Sequence, residues 1–393
     1  MTILEKELDT RKIPNVLQAG WNDEIRQNML DIMQQCEYGY MPAKPIKVEG
    51  REYKHLADEN CFDGKATYKK VQIVCQLHKK DYPWIIKKPE LGNEFTFDIN
   101  CYIPKIPIGK KIPAVIATND REAFDFGTCP ADYLCEQGIA VFNLRYRCLT
   151  NDPVNNNGLT QFDENGLDRF IFGKSMKDLQ PGDREDDAPG SIAIWAWGLS
   201  RIMDYVETLD FIDFDKIAVA GHSRLGKTVL LAGAMDDRFT HVYPNASCGG
   251  GVALSSGNTV ESLGFLANRY PKSNEWFCEH SKTYGNEVYI DKNGNPFDQH
   301  FLIACVAPRK LYVGNAKEDV YCDVNSEYLA CVAADKVYKH LGLKGFVHPD
   351  RFPEEGDMFH EGDIGYHLRP GAHAFNLDDW EMFVRFFLQK EGV

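Results

Sequence analysis

Apolar and polar positions follow two different periods along this chain, and the change of period predicts its elements. Between Trp21 and Tyr40 the residues Ile25, Met29, Leu30 and Met33 fall on one face at helical spacing. Residues 71–75 and 95–102 alternate instead with period two, as half-buried antiparallel strands do. Residues 112–117 and 139–144 are short and continuously apolar, the pattern of strands covered on both faces of a parallel sheet. A helix rich in Ala, Trp, Leu and Met is predicted over 191–207, then a buried strand over 216–220 and a helix over 224–235. Further strands are predicted at 310–314 and 345–347, and helices at 326–341 and 377–389. Strands alternating with helices predict an α/β fold: a doubly wound, mostly parallel sheet in a three-layer α/β/α sandwich, antiparallel at its N-terminal edge. The stretches 150–190 and 257–298 carry Asn, Asp, Gly and aromatics without period, and are expected as insertions over the strand ends, where ligands bind in such sheets.

Composition narrows the function more than the fold. With 393 residues, 44% of them hydrophobic, the chain can bury a large core without disulfide or metal. No linker, charge block or repeat divides it, so one domain over 1–393 is expected. A net charge of -14 argues against a nucleic-acid partner, because phosphates would be repelled. No apolar run reaches membrane-spanning length, and the charged residues 1–9 lack the apolar core of a secretion signal. A cytoplasmic location is therefore expected, or a secreted one if a leader had been removed. The 12 cysteines are scattered without a C-x-x-C pair and are expected to be buried reduced thiols. Nothing in the chain fixes an oligomeric state.

The candidate chemistry centres on Gly221-His222-Ser223-Arg224-Leu225-Gly226-Lys227. Ser223 follows a predicted buried strand and precedes a predicted helix. That is the setting of an α/β-hydrolase nucleophile elbow, where a sharp turn lifts the hydroxyl above the sheet. The second glycine lies three residues after the serine rather than two. A serine in this place could also simply cap the helix. What weighs against that is the order of residues downstream, since an activated serine needs a base and the base an orienting acid. After the strand at 310–314 come Glu318 and, better placed, Asp319; before the last helix comes His373. His360 and His367 are rivals close to His373, and His222 is expected to pack or hydrogen-bond, pointing away from Ser223. His348, Asp350, Asp298 and His300 are expected to be structural. No spaced Cys/His cluster suggests a metal, and no cofactor is called for.

At these residues the chain resembles the glucuronoyl esterases of carbohydrate esterase family 15, particularly the bacterial kind. The likeness runs from about residue 20 to 390. Its blocks are 190–201 in the helix before the elbow, the elbow itself with its displaced glycine, 298–304 with 307–309, and 365–373 around the histidine. The resemblance implies Ser223 as nucleophile, His373 as proton relay and Asp319 as orienting acid. It implies Arg224 as an oxyanion donor and Lys227 and Glu261 as ligands of sugar hydroxyls. Fungal relatives carry the acid in a Glu-Ser-Gly segment; the matching stretch here is 245–250, with Ala246 where that glutamate would be. Two departures stand out. Tyr321 replaces a substrate-stacking Trp, and the loop 117–121 differs from the segment that borders the oxyanion hole in the family.

The expected activity is hydrolysis of 4-O-methyl-glucuronoyl or related uronate esters through an acyl-enzyme, on a small carbohydrate ester such as a glucuronoxylan fragment. Two alternatives share the scaffold: another carbohydrate esterase, acting on acetyl-xylan or cinnamoyl esters, and a catalytically inactive sugar-binding protein.

Overall fold

The computed structural model describes residues 1–105, 107, 109–119, 128–152, 166–180, 182–269, 275–284 and 296–389. Their strands form one sheet: β1 (Lys47–Glu52), β2 (Asp58–Cys61), β3 (Ala66–Gln76), β4 (Glu94–Pro104), β5 (Ile112–Asn119), β6 (Ala140–Arg145), β7 (Ile212–His222), β8 (His241–Asn245), β9 (Lys310–Ala316), β10 (Met358–Phe359) and β11 (Ile364–Arg369). The order is β1-β3-β4-β6-β5-β7-β8-β9-β11-β10, with β2 paired to β3. The strands from β6 through β5, β7, β8 and β9 to β11 are parallel neighbours. β1, β3 and β4 add antiparallel pairs at the N-terminal edge, as the period-two patterns predict. The far edge is antiparallel too, through β10.

Continuous apolarity in the central strands has a simple cause: successive residues face opposite layers, and both layers are covered. Ile116, Phe142 and Val219 point into a core built with the helices Ser191–Val206, Arg224–Met235 and Val324–His340. Their neighbours Val115, Val141 and Ala218 point into a second core under the helices Ala131–Glu136 and Leu377–Phe387, around Trp380 and Phe383. The helix expected between Trp21 and Tyr40 runs over Asp23–Met33, after a first helix Ile3–Arg11; Met29, Leu30 and Met33 are buried, and it continues as a π turn to Tyr38.

Three expectations need correction. Residues 345–347 form no strand; Phe346 makes a single bridge to Ile364, after Gly345 at φ +64°. The late strand is β11, whose buried His367 and Arg369 break the apolar run that marks a central strand. β8 went unpredicted for a similar reason, its five residues holding His241, Pro244 and Asn245. And the cysteines are not all reduced: Cys248 and Cys322, 74 residues apart, form a disulfide, a pairing that scattered spacing cannot signal. Of the predicted insertions, residues 153–165, 181, 270–274 and 285–295 lie outside the described residues.

Ser223 sits where the parallel sheet ends, between β7 and the helix Arg224–Met235. The displaced glycine has a packing reason. A Cβ on Gly226 would lie 2.8 Å from Ser247 Cβ and 3.0 Å from the Asn245 carbonyl oxygen, at the turn after β8. Leu225, in the place where glycine is usual, is buried instead and fills the core. Gly226→Ala is therefore expected to destabilise by about 1–3 kcal/mol through overpacking. A urea titration reads this as a lower midpoint at unchanged slope; an unchanged midpoint would show that the turn after β8 yields freely.

Candidate active site

Ser223 adopts φ 59°, ψ -124°, a conformation that L-residues rarely take and that marks the strained turn of an elbow. Its backbone N–H donates to the Asn245 carbonyl at 2.9 Å, tying the turn to the end of β8. Lys227 N–H closes the first helical turn on the Ser223 carbonyl at 3.2 Å. The side chain makes no cap, so the geometry does not fit a helix-capping serine.

The expected acid and base, Asp319 and His373, follow the ends of β9 and β11. His373 Nδ1 donates to Asp319 Oδ2 at 2.6 Å. The other carboxylate oxygen of Asp319 accepts from the N–H groups of Tyr321 at 2.8 Å and Cys322 at 3.1 Å. Burial by itself would raise this carboxyl, but the hydrogen bond and charge of His373 and the two backbone donors outweigh it and hold it below the usual range. The ionised acid thus fixes His373 with its proton on Nδ1, leaving Nε2 to accept. Glu318, the other acid considered, is exposed.

The histidine loop is clamped from beneath. Arg369, at the end of β11, donates to the carbonyls of Pro370 at 2.8 Å and Ala374 at 2.7 Å, and pairs with Asp379 at 2.9 Å. His367 is spent in the same buried network, on Asp379 at 2.9 Å and the Tyr312 hydroxyl at 3.0 Å, and His360 Nε2 bonds that same hydroxyl at 2.8 Å. Neither rival histidine is left for Ser223. His222 hydrogen-bonds, as expected, through Nδ1 to Asn245 at 2.7 Å. It does not turn away from the site, however, for its ring lies 4.5 Å from that of His373. Burial and the neighbouring His373 push its imidazole down to about 4, so it stays neutral and does not repel a charged His373.

Two cations follow Ser223 on the helix. Arg224 donates to Asp152 at 2.5 Å and lies over the Trp276 ring at 5.1 Å. Asp152 is itself buried and accepts from the Tyr146 hydroxyl at 2.7 Å and the Trp276 indole at 2.9 Å. Burial would raise its carboxyl; Arg224, Trp276 and Tyr146 more than offset this and keep it ionised. Lys227, one turn on, is 2% exposed and donates to the Ser247 carbonyl at 2.6 Å and to Glu261 at 2.9 Å. Tyr321 is 51% exposed with its ring 5.2 Å from His373, so one aromatic surface stays open beside that histidine.

Comparison with known proteins bears on what this geometry does. The chain is 40% identical to Carbohydrate esterase MZ0003, from an unknown prokaryotic organism, over 96% of its own length and 87% of the relative's. The chain belongs to carbohydrate esterase family 15. A family model described as glucuronyl esterase, fungi, matches residues 183–342 of the esterase, a span that holds the elbow and Asp319. A 4-O-methyl-glucuronoyl methylesterase of Wolfiporia cocos is 33% identical over 53% of the chain, which spans about half (49%) of that relative's length. A glucuronoyl esterase from Solibacter usitatus superposes with a TM-score of 0.77 at 25% identity, over 95% of this chain and 96% of that one. The protein is a carboxylic-ester hydrolase of the serine type.

Of the residues singled out by sequence, Arg224 and Lys227 follow Ser223 on the helix, His373 lies against His222 and bonds Asp319, Tyr321 lies beside His373, and Glu261 bonds Lys227. Asp152 and Trp276 were missed. Asp152 lies 72 residues from Arg224 and 124 from Trp276, both within or beside aperiodic insertions, and no local pattern could have paired them with Arg224. Of the loop 117–121, Thr118 and Asn119 end β5 and are buried, while Asp120 and Arg121 lie outside the described residues. Asp350 and Asp298 are structural as expected: the first accepts from Ile3 and Leu4 N–H, the second from Ser255 and Ser256 N–H.

Proposed function

We propose that the esterase cleaves 4-O-methyl-glucuronoyl esters by attack of Ser223 on the ester carbonyl, with His373 taking the serine proton and Asp319 holding His373. The acyl-enzyme is then hydrolysed by water that His373 activates. Arg224 faces the developing oxyanion, aimed by Asp152 and Trp276; a fixed cation in that place stabilises charge that exists only in the transition state. The observation that carries the choice of acyl group is the Lys227–Glu261 pair, one helical turn beyond Arg224 and shielded from solvent. A paired ammonium and carboxylate offer donor and acceptor together, which suits the vicinal hydroxyls of a sugar acid and has no use for an acetyl or cinnamoyl group. The relatives support the same reading, being named as glucuronoyl esterases.

A panel of benzyl 4-O-methyl-glucuronate, acetylated xylo-oligosaccharide and methyl ferulate tests it. The uronate ester is expected to lead in kcat/KM by on the order of 100-fold, since a site that hydrogen-bonds a substrate hydroxyl penalises its absence. Lys227→Met should cost about 2 kcal/mol, roughly thirtyfold in kcat/KM on the uronate ester alone, the worth of a hydrogen bond to a charged group. Equal rates on acetate or ferulate esters would favour a different carbohydrate esterase.

A further inference from the structure

The Cys248–Cys322 disulfide stands beside the proposed base in a chain that otherwise leaves its cysteines unlinked. The other ten form no disulfide, and eight of them are buried, so this protein does not depend on disulfides as a general brace. Cys248, Cys322 and His373 present their sulfur and ring-nitrogen atoms within 4.8 Å of one another. Two sulfurs and one imidazole at such distances are the donor set of a three-ligand site for zinc or another soft divalent cation, with a fourth position open. While the sulfurs are bonded to each other they are poor ligands; as thiolates they are strong ones.

The sulfurs are also held in place by bonds other than their own. The Cys248 N–H donates to Glu327 at 2.6 Å, and Ser247 Oγ donates to the same carboxyl at 3.3 Å. Ala246 and Cys248 are held at φ 41° and 56°, a backbone that the surrounding contacts must impose. On the other side, the Cys322 N–H donates to Asp319, and Asp323 caps the next helix through Ser326 while accepting from Thr259. Cutting the S–S bond therefore leaves both loops anchored. The Asp319–His373 bond adds the carboxylate that usually orients a metal-bound histidine.

We propose that the reduced pair Cys248 and Cys322, together with His373, forms a zinc-class metal site that switches the esterase off. Reduction gives two thiols: a dithiol supplies both electrons and both protons and becomes a disulfide, whereas a phosphine supplies the two electrons and becomes its oxide, with water supplying the oxygen and the two protons. Binding of the dication then releases the two thiol protons. A cation on Nε2 of His373 occupies the lone pair needed for the serine proton, and a cation on Nδ1 displaces Asp319. Catalysis stops in either case; a peroxide or small-molecule disulfide that takes two electrons from the thiolate pair re-forms the S–S bond, expels the dication and restores it.

The experiment compares oxidised enzyme, enzyme reduced with a phosphine, and the Cys248→Ser/Cys322→Ser protein, each given one equivalent of zinc. Only the reduced enzyme is expected to retain one zinc per chain through gel filtration, and cobalt(II) in its place should give a thiolate charge-transfer band. Its rate should fall by at least about 100-fold, the weight of a general base, and return with EDTA. The rate arm rests on His373 being the base assigned above, whereas metal retention and the cobalt band do not, so the two readings fail separately. The proposal is overturned if the reduced enzyme holds no more zinc than the double variant, or if it holds zinc at full rate through its other thiols. It is overturned equally if reduction alone stops catalysis, which would make the disulfide a plain brace.

Discussion

Ser223→Ala lowers kcat on a benzyl glucuronate ester by on the order of 10⁵-fold, with the fold retained. The size follows from what the serine does as one of a set: without its oxygen, His373 has no proton to take, and the remaining groups only bind the ester and polarise it. The fold is retained because the elbow is held through the backbone. Ser223 N–H bonds the Asn245 carbonyl and the Ser223 carbonyl accepts from Lys227, neither of which the substitution touches. Alanine meets the same strain at φ 59° that serine does. Steady-state kinetics with thermal unfolding on the same preparation check both halves. Turnover above about 1% of the parent's, far over the residue that an oxyanion donor and binding leave behind, would place the nucleophile elsewhere.

How much of this was legible in the sequence depends on distance along the chain. Ser223, Asp319 and His373 could be found because each sits at the end of an element whose period is visible, in the chain order that an α/β-hydrolase demands. The parallel strands β5, β6 and β7 announced themselves as short apolar runs for the same reason. What stayed hidden was carried by contacts between distant segments. β11 reads poorly because Asp379 pairs with His367 and Arg369, which lets a buried strand carry polar residues. The family resemblance implied a role for Arg224, but nothing near it foretold that Asp152, itself bonded by Tyr146 and Trp276, would hold it. The disulfide was hidden in the same way, and its two cysteines look no different in sequence from the ten that form none. Tertiary pairing is a property of the folded surface, and local spacing carries it only where both partners share an element.

Asp319→Asn is expected to cost about 10⁴-fold in kcat while leaving substrate binding nearly unchanged, because it inverts the tautomer of the base. The hydrogen bonds around the residue dictate the inversion. One carboxylate oxygen accepts from two backbone donors, Tyr321 N–H and Cys322 N–H, so the asparagine carbonyl must take that side. Its amide NH₂ is then forced toward His373, whose Nδ1 has to become the acceptor, and the proton moves to Nε2, where it blocks uptake from Ser223. No neighbour can step in. Glu327 is buried close by, but burial, only partly countered by its bond from Cys248 N–H, raises its carboxyl to about 8, and it stays protonated at neutral pH. Stability should change in a different way. A carboxyl depressed in the folded state contributes stability that is present above its unfolded pKa and lost as pH falls through the folded one. The parent should therefore lose this contribution below about pH 4, where an unperturbed Asp titrates, and the asparagine variant should lack that component of acid sensitivity. Urea midpoints for both proteins at neutral and acid pH, set beside kcat and KM, measure the two effects independently. A variant that keeps a tenth of the parent kcat would show that another group orients His373, and the assignment of Asp319 would fall while that of Ser223 stood.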